Sequence, residues 1–129
     1  MKTTPEHRSQ IVNISSSMAK IHKSLFLNQI EIYEKEKAIT TNALERLHLL
    51  LNAPELSWLR DLSQLMAYVD EIYFQKEAIQ DEQFAIVKKG VDELLIKPSN
   101  SEFSKKYRSL IGLIPNLIVE HAYLKLALK

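Results

Sequence analysis

The chain has 129 residues, 46% of them apolar and 26% charged, which is enough for one domain with a real hydrophobic core. Its 17 basic and 16 acidic residues leave a net charge of +1, so no overall field steers it towards nucleic acid. With no cysteine there are no disulfides or thiolate metal sites, and two glycines with four prolines are too few for a turn-rich all-β protein.

Residues 2–10 are polar and charged, with no apolar signal core, so no secretory leader is expected and the cytoplasm is the default location. A first helix is predicted from Pro5 or Glu6 to about Ala38. It carries the clearest pattern in the chain. Ile11, Ile14, Met18, Ile21 and Leu25 recur at alternating steps of three and four, and the pattern continues through Asn28 to Ile32. That spacing writes one stripe on one helix, which other helices must cover. Ser15, Ser16 and Ser17 are weak helix formers that loosen it locally.

Asn42 followed by Glu45 predicts a capping box for a short second helix bearing Leu44, Leu47, Leu50 and Leu51. Asn52, Pro54 and Glu55 predict a third helix start, with Asn52 as cap. That helix carries Leu59, Leu62, Met66, Val69 and Tyr73, is widened by Trp58 and Leu65, and ends near Gln75. Residues 76–83 are polar and ambiguous. Phe84, Val87, Val91, Leu94 and Leu95 mark a fourth helix, closed by a loop at residues 97–100. Ser99 with Glu102 is expected to cap a fifth helix bearing Phe103, Tyr107 and Leu110. Gly112 and Pro115 punctuate it before a last helix with Leu117, His121, Leu124 and Leu128. The expected fold is all-α: a compact antiparallel bundle of about five or six helices with a long first helix, residues 1–129 forming one domain. Residues 109–128 approach the length of a membrane span, but Glu120, His121 and Lys125 within them favour a buried helix of a bundle over a transmembrane segment.

Chemistry-bearing residues are sparse. One Glu-x-x-His pair, Glu45 and His48, lacks the second pair that a carboxylate-bridged di-iron site requires. Glu34 lies in the charge run at residues 34–37, which reads as a solvated helix end. There is no His-Glu-x-x-His, no Gly-x-Ser-x-Gly and no glycine-rich phosphate loop, so no cofactor and no complete catalytic set is expected. The segment Lys105-Lys106-Tyr107-Arg108 is a short basic and aromatic run that a solvated helix face explains. His7 and His48 are expected to face solvent. His22 beside the first stripe and His121 between Leu117 and Leu124 read as structural histidines; the functional alternative has both converge with Asp70 or Glu71 on the third helix to hold a metal ion or a small polar ligand. Trp58 reads as a core anchor, or, with Arg60, as a contact surface, since both residue types are enriched at binding hot spots.

The stretch from Leu49 through Pro54, Trp58-Leu59, Leu62-Ser63 and Leu65, followed by Asp70-Glu71, resembles a family of small bacterial proteins of unknown function. They share a leucine run, a proline, a Trp-Leu-x-x-Leu-Ser segment and an Asp-Glu pair. His22-Lys23 leading to Tyr33-Glu34 resembles their first helix; Phe103, Tyr107 and Ile118-Val119-Glu120-His121-Ala122 resemble their C-terminal helices. Leu56 stands where a second aromatic often precedes the tryptophan. The resemblance implies a bacterial, cytoplasmic, single-domain helical protein and draws attention to His22, Trp58, Arg60, Ser63, Asp70, Glu71 and His121. Two functions are expected as alternatives: a non-enzymatic helical interaction or regulatory protein with a protein partner or as a homo-oligomer, or a small-ligand or metal-binding protein. Peripheral membrane binding through the C-terminal apolar segment is a third.

Overall fold

A stripe of five aliphatic side chains on a single helix cannot stay in water, since burying each is worth roughly 1.5–3 kcal/mol. The computed structural model, which describes residues 4–129, hides this stripe by wrapping the rest of the chain around it. Residues 1–3 of the polar N-terminal stretch lie outside the described residues. Six α-helices follow in order: α1 Thr4–Lys37, α2 Ala43–Asn52, α3 Arg60–Phe74, α4 Asp81–Val91, α5 Glu102–Leu110 and α6 Leu117–Ala127. A 3-10 segment, Pro54–Leu59, leads into α3, and a π-helical turn, Asp92–Ile96, closes α4. No strand occurs among the described residues.

Ile11, Ile14, Met18, Ile21 and Leu25 are all fully buried. α3 and α6 lie on this stripe, both antiparallel to α1. The α3 register is set by two polar rungs whose residue numbers add to 85, Ser15 to Asp70 and His22 to Ser63, and Arg8 continues the line at the carbonyls that follow the end of α3. Their α1 members stand seven residues apart, one heptad beside the apolar stripe. The α6 direction follows from Gln10 donating to the Ala127 carbonyl (3.0 Å) and Ser24 donating to Glu120 (2.6 Å). Ser15, Ser16 and Ser17 stay helical, and Ser15 is used as a rung.

The stripe does not continue to Ile32. In the α3 register Leu25 stands opposite Arg60, the first residue of α3. Beyond that level the 3-10 segment replaces the helix, and burial moves to another face: Ile30 is 1% exposed, Ile32 42%.

Helix ends explain the connections. Ala38 terminates α1 in the left-handed region (φ 56°), and the Ile39 N–H reaches back to the Glu34 carbonyl, closing a Schellman-type turn. Asn42 and Glu45 form the expected capping box of α2. Asn52 does not cap α3; its side-chain amide bonds the His48 ring and carbonyl and finishes α2, while Pro54 starts the 3-10 segment. Gln80 and Gln83 form the box that starts α4. Ser101, not Ser99, caps α5, because its hydroxyl accepts from the Ser104 N–H while Ser99 donates its own N–H to the Ser104 hydroxyl. Gly90 allows α4 close to α3: a Cβ there would sit 3.3 Å from Leu65.

Truncations on α1 separate the two faces. Ile30→Ala is expected to cost about 2–5 kcal/mol and Ile32→Ala under about 1 kcal/mol in urea unfolding, opposite to what the unbroken stripe implies. Ala38→Gly is expected to raise stability by up to about 1 kcal/mol, since the left-handed region strains an L-residue by roughly that much; the same urea titration reads it.

Candidate functional site

α1, the 3-10 segment, α3 and α6 carry the residues singled out by sequence. His22, half-buried on α1, places Nε2 3.1 Å from the Ser63 hydroxyl, which also lies 3.3 Å from the Leu59 carbonyl one turn back on the chain. The hydroxyl can donate either to the Leu59 carbonyl or to the imidazole, and the ring tautomer decides which. Burial lowers the His22 pKa and keeps the ring neutral.

Asp70 lies on the same α1–α3 seam, two turns away, and accepts from the Ser15 hydroxyl at 2.9 Å. Glu71 beside it is exposed. His121 belongs to a separate cluster. Its Nδ1 lies 2.7 Å from the Tyr107 hydroxyl. Burial pushes the Tyr107 pKa up and lowers that of His121, the latter helped by Lys125 and Arg108. The phenol therefore stays protonated and donates to a neutral ring. The expected convergence of His22, Asp70, Glu71 and His121 does not occur: among the described residues no group of three His, Asp or Glu side chains is placed to hold a metal ion. The reason is register. His22 and Asp70 face each other's helix at different rungs, and His121 turns towards α5.

Trp58 is a core residue. It is 3% exposed, and its ring starts an aromatic chain that joins the 3-10 segment to α5 and α6: Trp58 to Phe103 (5.7 Å), Phe103 to Tyr107 (5.5 Å) and Tyr107 to His121 (5.5 Å). Its indole Nε1 is buried without a hydrogen-bond partner among the described residues. Arg60 is exposed, but its guanidinium donates to the Leu51 carbonyl (2.9 Å) and closes the C-terminal end of α2. The pair is therefore not an outward contact surface.

The most buried histidine is one expected in solvent. His7 is 3% exposed, stacks on Phe84 with centroids 4.3 Å apart, and bonds Asp81 through Nε2 at 2.7 Å; Asp81 begins α4. The signal was present, because His7 stands four residues before Ile11 and extends the apolar stripe backwards. Arg8, next to it, donates to the carbonyls of Tyr73, Gln75 and Glu77, where α3 ends. Glu34 is likewise no solvated run member. It accepts from both the backbone N–H and the hydroxyl of Thr41, and these hydrogen bonds lower its pKa.

An open groove of about 380 Å³ follows the α1–α6 seam, lined by Asn13, Ser16, Ser17 and Lys20 on one side and Glu120 and Tyr123 on the other. Tyr123 and Leu126 sit at the edge of this groove and, with Ile118 and Val119, are exposed on α6; α2 exposes Leu44, Leu47 and Leu51. No helix among the described residues is long and apolar enough to cross a membrane. Compared with known proteins, the chain matches no family model, no curated protein and no solved structure.

Both half-buried histidines are held neutral in the folded state, so the unfolded chain binds more protons just below the ordinary histidine pKa. Their contribution to stability is complete above about pH 6.5 and is lost as the pH falls towards their depressed folded values. Thermal unfolding is expected to show the melting temperature falling between pH 7.5 and 5.5, with a smaller fall in the His22→Gln/His121→Gln double variant; an unchanged pH slope in that variant would refute the assignment.

Proposed function

We propose that this chain is a non-enzymatic helical interaction protein that self-associates. The observation that carries the reading is the pair of outward apolar faces on α2 and α6, beside singled-out polar residues (His22, Arg60, His121) that are bonded within the fold. Large exposed apolar patches on a soluble domain mark interaction sites. His22 and Ser63 join α1 to α3, Tyr107 and His121 close on each other, and Arg60, Arg8 and Glu34 each cap or clamp a neighbouring segment. The balanced charge supports protein over nucleic acid as partner. Membership of the small bacterial helical family that the Trp58 segment resembles, and with it a cytoplasmic location, belongs to the same proposal; cell fractionation tests the location.

The direct test is light scattering coupled to size exclusion, run from low-micromolar to near-millimolar protein. A mass above that of one chain, rising with concentration, is expected. A single-chain mass throughout, together with no partner recovered by the tagged protein, would sink the reading.

A further inference from the structure

We infer that the self-association surface is the outward face of α6, paired antiparallel with α6 of a second copy across a two-fold axis near Ala122. This rests on the self-association reading above and names the surface that carries it.

α6 is apolar on two faces, an inner and an outer one, with Glu120, His121 and Lys125 between them. Leu117 and Leu124 are buried against the core, while Ile118, Val119, Tyr123 and Leu126 point away from it. The inner face packs on α1 and His121 bonds Tyr107 of α5, but Ile118, Val119, Tyr123 and Leu126 are left exposed. Val119, Ala122 and Leu126 follow one another at steps of three and four, a seam of the kind that packs on another helix, with Ile118 and Tyr123 flanking it. Ala122, exposed at the middle, is small enough to let a second helix come close.

Area and charge select the occupant. Ile118, Val119, Tyr123, Leu126 and the neighbouring Leu113 are 49–76% exposed. At about 200 Å² for a full side chain this amounts to on the order of 600 Å² of apolar surface. A partner in a stable complex contributes about 800 Å², of which somewhat over half is apolar, so an apolar patch on the order of 600 Å² is of the size that a dimer face needs. The three leucines on α2 offer roughly 400 Å² on the same basis. The seam itself carries no charge; Lys125 and Lys129 flank the C-terminal half and Glu120 the groove side. An antiparallel pair keeps the lysines of the two copies at opposite ends, whereas a parallel pair would set Lys125 beside Lys125. It also gives the isologous contact a two-fold axis requires, with Ile118 of one copy against Leu126 of the other. A lipid surface is the less suitable occupant: membrane-surface helices have a strongly polar, lysine- and arginine-rich face opposite the apolar one, and the opposite face of α6 is the protein core.

The test uses the full chain with Leu126→Glu and Ile118→Lys, separately and mixed. Both positions are already exposed, so circular dichroism melts should match the parent; if one variant fails to fold, the other carries the test alone. Sedimentation equilibrium is expected to show each variant dimerising at least about tenfold more weakly than the parent. In an equimolar mixture dimers should return. An antiparallel heterodimer sets the introduced lysine of one copy against the introduced glutamate of the other at one contact, and keeps Leu126 on Ile118 at the second. Single variants that dimerise normally, while Leu47→Glu on α2 abolishes dimers, would overturn this inference and leave the broader reading standing. Weakened single variants that the mixture does not rescue would overturn the antiparallel arrangement. A parent chain monomeric at every concentration would overturn both, as would a monomer that instead pellets with vesicles of mixed neutral and anionic phospholipid.

Discussion

Everything in this protein depends on covering one side of α1. Its stripe from Ile11 to Leu25 is completely buried, and no neighbouring helix could bury its own apolar face without it. α3 and α6 run antiparallel along this spine, the 3-10 segment takes over where α3 begins, and α4 is pinned to its N-terminal end by His7 and Asp81. A 34-residue helix is long for a domain of this size, and its length is what allows four other segments to share one surface.

Polar side chains are arranged around that spine as locators. Arg8, Ser15 and His22 form a ladder at heptad spacing against α3, and Arg8 gathers three carbonyls where α3 gives way to the loop. A one-turn slip of α3 against α1 would strand every rung together. The net worth of a hydrogen bond is modest, about 1 kcal/mol, but leaving its buried half unmade costs more. The ladder therefore contributes more to choosing one register than to overall stability. Tyr107 and His121 do the same for α5 against α6.

His22, Asp70, Tyr107, His121 and Glu34 are thus each engaged in holding neighbouring segments in place. The surface instead offers apolar area on α2 and α6, and a helical domain with such faces is suited to meeting other helices. The proposed pairing through α6 extends the same physics outward, since a second copy would supply the cover that α1 provides on the inner side.

Periodicity and capping are local, and the chain by itself determined what depends on them. The scarcity of glycine and proline and the three-and-four spacing specify an all-α fold; Asn42 with Glu45 specifies the start of α2; the Pro98 loop separates α4 from α5. These signals work because a helix turn brings together only residues three and four apart. What stands opposite a helix is not local, and only the tertiary structure decided it. Ile30 is buried and Ile32 exposed because α3 ends its cover at Leu25. His7 is buried because Phe84, far along the chain on α4, stacks on it. The histidines and carboxylates that looked like one site are split between two seams because helix register, set by the packing of whole faces, turned His121 towards Tyr107 and His22 towards Ser63. Outward leucines on α2 and α6 carry the same apolar pattern as inward ones, and the pattern alone cannot distinguish a face the fold covers from one it leaves for a partner.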